Sequence, residues 1–353
     1  MPERGQCLHL GPVTGEEVPC KTCGGNVRVK LHACAVYGKC TTHKPVPNVA
    51  CCLPDCKSFT ATPGPASPVG REGPQVKLTV GMATYDEPIE TWFTLQALRL
   101  YQRLDPADEV IVVDNKPRAC KLTHEAAQNF GARYIHAPVP AGTAAPRERV
   151  FREAAGDVVV CMDCHVLLGL GALNAIREYF ATRPGSKDMV QGPLLDDSRR
   201  GSPQWTHWLI RWRDHMLGTG ECEPALLLGS RPYEIQAMGL GLFAMRKAAW
   251  PGFNRNFRGF GGEECYIHEK VRRAGGRVMC LPQAQWAHKF MRVGAMPYVN
   301  KLEDRYFNYI VGHCELGMDA GLVDEAFRDA IPAATMAALK AEAASVQQMS
   351  NEF

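Results

Sequence analysis

Past residue 75 the chain alternates short apolar runs with longer segments whose apolar residues recur every three or four positions. Residues 76–83 (VKLTVGMA), 109–113 (EVIVV), 133–136 and 157–162 (DVVVCM) read as strands, and residues 89–103, 122–130 and 147–155 as the helices between them. Strand–helix–strand repeats join parallel strands through right-handed crossovers. The pattern therefore predicts an α/β domain with a mainly parallel, Rossmann-like sheet and a site at the carboxyl ends of its strands. The second half is less regular. It predicts helices over 170–182, 203–217, 263–274 and 297–316 and strands over 238–246 and 277–281. The alanine-rich stretch 332–348 has a helical period, and Pro332 suits its first position. Within 203–217, Trp205, Trp208 and Trp212 stand at helical spacing and read as a packing stripe rather than a sugar platform.

The alternation is missing before residue 75. Residues 60–73 (TATPGPASPVGREG) are rich in proline, glycine and small polar residues, the composition of a solvated linker. The expected organisation is a cysteine-rich module over 1–59, a linker over 60–74, the main domain over 75–320 and a helical extension over 321–353. Of 15 cysteines in the chain, eight stand at Cys7, Cys20, Cys23, Cys34, Cys40, Cys51, Cys52 and Cys56. Residues 1–10 lack the apolar stretch of a secretory signal, so the expected compartment is a reducing cytoplasm, where clustered cysteines are metal ligands rather than disulfides. Cys7, His9, Cys20 and Cys23 form a CxH…CxxC arrangement that suits a tetrahedral zinc ribbon, and Gly24 and Gly25 supply the tight turn after it. Cys34, Cys40, Cys52 (or its neighbour Cys51) and Cys56 form a second group, with His43 as a substitute ligand. Two structural Zn2+ ions per chain are expected.

Charge and composition narrow the partners. The cysteine-rich segment holds the whole net charge of +3. That excess is too small for a nucleic-acid stripe and suits docking on a protein partner at least as well. The chain is 46% hydrophobic and 22% charged, near the globular average, with no apolar run long enough to span a membrane. A disordered tail protein, a disulfide-only miniprotein and a transmembrane protein are excluded on these grounds.

Three polar clusters follow predicted strands. Ala83-Thr84-Tyr85-Asp86-Glu87-Pro88 ends the first, Asp114-Asn115 the second, and Asp163-Cys164-His165 the DVVVCM strand. An Asp and a His two residues apart at a strand end point the same way and can both reach one divalent ion. Cys161 and Cys164 also form a CxxC, but Cys161 falls inside a predicted buried strand and no second pair accompanies it, so the spacing reads as coincidence.

In this order the clusters resemble the successive elements of a family 2-type glycosyltransferase with the GT-A fold. Arg147, then Ala154-Ala155-Gly156, a buried strand and a DxD-type motif at Asp163 follow that family's sequence of features. His165 in the third place is similar to the DxH motif of the polypeptide N-acetylgalactosaminyltransferases. Phe260-Gly261-Gly262-Glu263-Glu264 resembles their aromatic-Gly-Gly-Glu segment and the ED motif of family 2, and Trp286-Ala287-His288-Lys289-Phe290 resembles the segment carrying the late metal-binding histidine. The likeness covers about residues 76–292.

The resemblance implies transfer of a sugar from a nucleotide-sugar donor, expected to be a UDP-sugar, to an acceptor that is a glycan or a protein. It implies Mn2+ or Mg2+ held by Asp163, His165 and His288, and a donor bound by Thr84, Asp86, Asp114, Arg147 and Arg292, with Lys289 also available to phosphate. Glu263 and Glu264 are the implied catalytic carboxylates. The ED likeness makes Glu264 the base of an inverting reaction, whereas the DxH likeness implies retention with Glu263 positioning the acceptor or sugar; the two disagree on stereochemistry. Two other classes fit parts of the pattern: a zinc-ribbon adaptor whose GT-A domain has lost catalysis, and a nucleotidyltransferase. The second is disfavoured because the Gly-Gly-Glu segment and the late histidine suit sugar transfer better.

Overall fold

The computed structural model describes residues 14–19, 26–34, 38–40, 76–138, 142–195, 203–227, 231–291 and 298–351. The chain divides into two compact units, Met1–Gly73 and Pro74–Phe353. The first holds an antiparallel sheet of β1 (Thr14–Pro19), β2 (Asn26–Cys34) and β3 (Gly38–Cys40), in that order. In its register Cys34 stands opposite Gly38 and Cys40 opposite His32. The other expected zinc ligands, Cys7, His9, Cys20, Cys23, Cys52 and Cys56 with the alternatives Cys51 and His43, lie outside the described residues, as does the expected linker.

The second unit opens with the predicted alternation. β4 (Leu78–Thr84), α1 (Pro88–Tyr101), β5 (Glu109–Asp114), α2 (Lys121–Phe130), β6 (Arg133–His136), α3 (Ala144–Glu153) and β7 (Val158–Asp163) follow one another. Then come β8 (Val166–Leu168), α4 (Ala172–Ala181), β9 (Met189–Gln191), β10 (Leu194–Leu195), β11 (Pro203–Trp205), β12 (His207–Arg213), β13 (Met216–Glu221), β14 (Tyr233–Glu234) and β15 (Leu242–Arg246). The chain closes with α5 (Glu263–Arg273), β16 (Val278–Cys280), β17 (Trp286–His288), α6 (Leu302–Leu316), α7 (Gly321–Phe327) and α8 (Ala333–Asn351).

Eight strands form the main sheet, in the order β14-β16-β9-β15-β7-β4-β5-β6. The β7-β4-β5-β6 half and the β16-β9 pair are parallel; β15 runs antiparallel between β7 and β9. Helices cover both faces, which is why the central strands read as unbroken apolar runs. Val80, Met82, Val160 and Met162 enter the core on one side of the sheet, and Ile111, Val113, Val159 and Cys161 the core on the other.

The less regular half departs from its predicted elements in three places. Residues 203–217 are no helix but β11 and an antiparallel hairpin, β12-β13, turned at Asp214 and His215, both in the left-handed region (φ 48° and 61°). A four-residue spacing puts Trp208 and Trp212 on one face of a helix, but it is also an even number and so fits a strand. The strand of 238–246 is confined to Leu242–Arg246, and the helix of 297–316 begins at Leu302. The helical C-terminal segment docks on the main body: Val323, Phe327, Ile331 and Ala343 share a core with Tyr306, Tyr309 and Ile310 of α6. Among the described residues no helix is long and apolar enough to cross a membrane.

Candidate active site

The site forms where the parallel strands end. In the sheet register Thr84 is level with Asp114, and Ala83 with Asp163, so three predicted clusters converge at one edge. β17 returns antiparallel to β8 with His288 opposite Val166, and the Lys289 amide donates to the His165 carbonyl at 3.1 Å. This short pairing sets His288 against a residue 123 positions earlier: the two Nε2 atoms lie 3.1 Å apart. His288 Nε2 is also 3.6 Å from Asp163 Oδ2.

This donor set fits a divalent cation. Ligand atoms of Asp163, His165 and His288 all lie within 4.8 Å of one another. Adjacent ligands held at about 2.1 Å from one ion are about 3 Å apart, close to the spacing seen here. Glu87, which the sequence reading left without a role, fixes the state of one ligand: its Oε2 is 3.2 Å from His165 Nδ1. A carboxylate at Nδ1 favours the proton there and leaves the Nε2 lone pair directed at the shared position. Cys164 Sγ donates to the same Glu87 oxygen at 3.4 Å, so the second cysteine of the CxxC packs behind the site.

Arg147 ties the metal-side carboxylate to α5. Helix α3 can lie close on β4 because Gly81 has no side chain; a Cβ there would stand 2.1 Å from Val150 Cγ1. From this helix the buried Arg147 donates to Asp163 Oδ1 at 2.8 Å and to Glu263 Oε1 at 3.2 Å. Burial would raise the Asp163 pKa, but the Arg147 guanidinium and the two histidines hold the carboxyl well below the usual range. Thr143 Oγ1 also donates to Glu263 Oε1, so that carboxylate is occupied inside the protein.

The turn before α5 is built for its two glutamates. Gly261 and Gly262 have φ of 95° and 97°, and a Cβ on Gly262 would stand 2.9 Å from Asn308 Cβ of α6. Asn308 clamps this turn through Nδ2 to the carbonyls of Arg258 and Gly261, and its Oδ1 accepts from the Arg258 amide. Leaving the turn, Glu263 points to Arg147, whereas Glu264 lines the cavity. Burial first, and the neighbouring Glu263 second, push the Glu264 pKa upward.

The cavity has a volume of about 400 Å³ and is lined by Thr84, Tyr85, Asn115, Thr143 and Arg147 on one side, with Asp163, His165, His288 and Glu264 in its wall. Two expected donor residues sit differently. Asp114 is fully buried and its carboxylate accepts from the amides of Lys116 and Cys120 and from the Tyr134 hydroxyl at 2.6 Å, so it shapes the loop after β5 and is not among the cavity's described lining residues. Asp86 is exposed, in the left-handed region, and pairs with Lys116 at 2.6 Å. Lys289 pairs with Glu90, and Arg292 lies outside the described residues. Asn115, Thr143 and Tyr85 carried no separate signal in the sequence; they line the cavity because loops following strands converge there.

Residues 79–222 match the family model described as glycosyl transferase family 2. A curated relative from Drosophila melanogaster, named "Putative inactive polypeptide N-acetylgalactosaminyltransferase 12", is 26% identical over 166 residues, which are 44% of this chain and 29% of the relative. Among solved structures, GalNAc-T7 with UDP, GalNAc and Mn2+ superposes with a TM-score of 0.54 at 16% identity, over 68% of this chain and 48% of that one. The chain thus spans less than half the length of either relative. The likeness to glycosyl transferase family 2 thus spans residues 79–222, and the chain shares the fold of the GalNAc-T7 structure.

Proposed function

We propose that the protein is a metal-dependent glycosyltransferase that moves a sugar from a nucleotide-sugar donor, a UDP-sugar by the likeness to GalNAc-T7, to a hydroxyl acceptor. The observation that carries this reading is the convergence of Asp163, His165 and His288 in the wall of a cavity at the carboxyl ends of parallel strands. Mn2+ or Mg2+ at that triad supplies Lewis-acid neutralisation of the leaving diphosphate. Thr84, Tyr85, Asn115 and Thr143 offer polar groups to the donor on one side. Arg147 keeps Asp163 ionised and aimed. Glu263, held by Arg147 and Thr143, is a positioning residue. Glu264 faces the cavity with a raised pKa, which suits a carboxyl that accepts the acceptor's hydroxyl proton; this assignment favours inversion.

A thermal-shift screen of nucleotide sugars with Mn2+ tests the reading. One donor should stabilise the protein only with metal present, and Asp163→Ala should abolish the shift; no response to any nucleotide sugar overturns it. The relative's printed name raises the alternative of a binding protein without turnover, which a donor-hydrolysis assay on the same samples separates. For residues 1–59 we propose two structural Zn2+ ions and a docking role. Metal analysis reading near zero zinc per chain refutes that part.

A further inference from the structure

Part of the cavity's wall has a different chemistry from its polar residues. Trp205, Trp208, Met216, Leu194, Met238 and Phe290 line it. Apart from indole N–H groups and methionine sulfur, these side chains carry no hydrogen-bonding atom. The aromatic rings run without a break from the β12-β13 hairpin to the metal triad. Trp208 meets Trp205 edge-on at 5.8 Å between centroids, Trp205 meets Phe290 at 5.9 Å, and Phe290 lies 4.4 Å from the ring of His288. A register shift in β12 between Leu209 and Trp212 separates the hairpin's tryptophans: Trp212 packs into the core on Tyr309 and Phe327, while Trp208 is left at the cavity.

Glycines seat these rings. A Cβ on Gly220 would stand 2.4 Å from the Trp205 indole nitrogen, on Gly218 2.5 Å and on Gly239 3.1 Å from the Trp208 ring, and on Gly241 2.6 Å from Trp286, which also lines the cavity. Glycine weakens a strand unless something must approach closely, and here an indole does at each position. The wall is therefore held in place before any ligand arrives.

Building on the glycosyl-transfer reading, we propose that this wall is the acceptor subsite and that the acceptor is a hydroxylated aromatic compound rather than a glycan. A sugar ring laid here would bring several hydroxyls to a wall whose side chains offer only indole N–H donors and methionine sulfur, and each hydroxyl left buried and unpaired costs about 1–3 kcal/mol. A flat aromatic body stacks on Trp205 and Trp208 and needs only one polar group, its hydroxyl, at the end next to the triad and Glu264. In the transfer, the acceptor oxygen forms the new bond to the anomeric carbon and the bond from that carbon to the diphosphate oxygen breaks. The diphosphate leaves with the electron pair, and the hydroxyl proton passes to Glu264.

Calorimetric titration of the full chain, with UDP and Mn2+ present, tests this with 2-naphthol and methyl β-glucoside as probes. 2-Naphthol should bind and the glucoside should not. Trp205→Ala should weaken 2-naphthol about tenfold. Phe290→Ala, at a residue 48% exposed and outside the core, should weaken it several-fold. Preference for the glucoside, absence of 2-naphthol binding, or 2-naphthol affinity left unchanged in both variants overturns the proposal. UDP with Mn2+ titrated alone reports on the glycosyl-transfer reading separately: if it fails while 2-naphthol behaves as expected, that reading falls and the aromatic subsite stands.

Discussion

Replacing Arg147 with methionine leaves two carboxylates facing a space from which their shared cation has gone. Arg147 is 6% exposed and Glu263 1%, so water cannot take over the guanidinium's role. At separations of 2.8 and 3.2 Å each ion pair is worth about 5–6 kcal/mol of gross attraction at an effective dielectric constant of about 20. Desolvation offsets most of that, and removing one partner from such a group costs about 3–5 kcal/mol net. With a urea slope of about 3 kcal/mol per molar, the unfolding midpoint of metal-free Arg147→Met at pH 7 should fall by about 1–1.7 M. The sharper expectation is a sign. Glu263→Gln added to Arg147→Met removes one orphaned charge while keeping an acceptor for Thr143, so the double variant should be more stable than Arg147→Met alone. A midpoint loss below about 0.3 M, or a double variant less stable than Arg147→Met, would refute the account of Arg147 as the buried charge link between Asp163 and α5.

Three further outcomes follow from particular contacts. His268 is fully buried, with Nε2 2.8 Å from Gln191 Oε1; burial, then Arg272, depresses its pKa to about 3. The fold thus favours the neutral ring, and the stability this brings is whole above the unfolded pKa of about 6.5 and is lost as pH falls below it, by about 2 kcal/mol at pH 5. The stability difference between wild type and the non-titrating His268→Gln should shrink by that amount between pH 7 and pH 5, and a constant difference would contradict it. Glu87→Ala should weaken Mn2+ binding about 10–100-fold in electron paramagnetic resonance titrations, with Glu87→Gln milder because its amide oxygen can still accept from His165 Nδ1. Gly262→Ala forces a side chain into the left-handed region against Asn308 and should cost about 1–3 kcal/mol in denaturant unfolding. An unchanged midpoint would mean that the turn before α5 relaxes freely.

What the sequence could reveal depended on whether a local period carried the information. Strands β4, β5 and β7 were legible because burial on both faces leaves a mainly apolar run, and the polar residue that ends each run marks the strand's carboxyl end. Asp163 and His165 were legible for the same reason, since a two-residue step returns to one face of a strand. The β12-β13 hairpin was not, because its tryptophan spacing satisfies both periods, and only the turn at Asp214 and His215 decides between them. Glu87 was hidden differently: its partner His165 is 78 positions away, and nothing local distinguishes it from a solvated residue at a helix start.

The same limit applies to the acid pairs, and there it affects chemistry. Glu263 and Glu264 are adjacent and both sit in the first turn of α5, so pattern alone treats them alike. On a helix, neighbours point about 100° apart, and this rotation turns Glu263 to Arg147 and Thr143 while Glu264 meets the cavity. Geometry therefore tells apart two carboxylates that the motifs leave side by side: Glu263 is engaged by Arg147 and Thr143, and Glu264 faces the cavity. Asp114 makes the converse point. It has the residue type and strand-end position of a ligand contact, yet Lys116, Cys120 and Tyr134 engage both its oxygens within the protein. A carboxylate at a strand end is a candidate for function only once its hydrogen bonds are counted, and that count is why we propose Glu264, rather than Asp114 or Glu263, as the carboxylate that acts on a ligand.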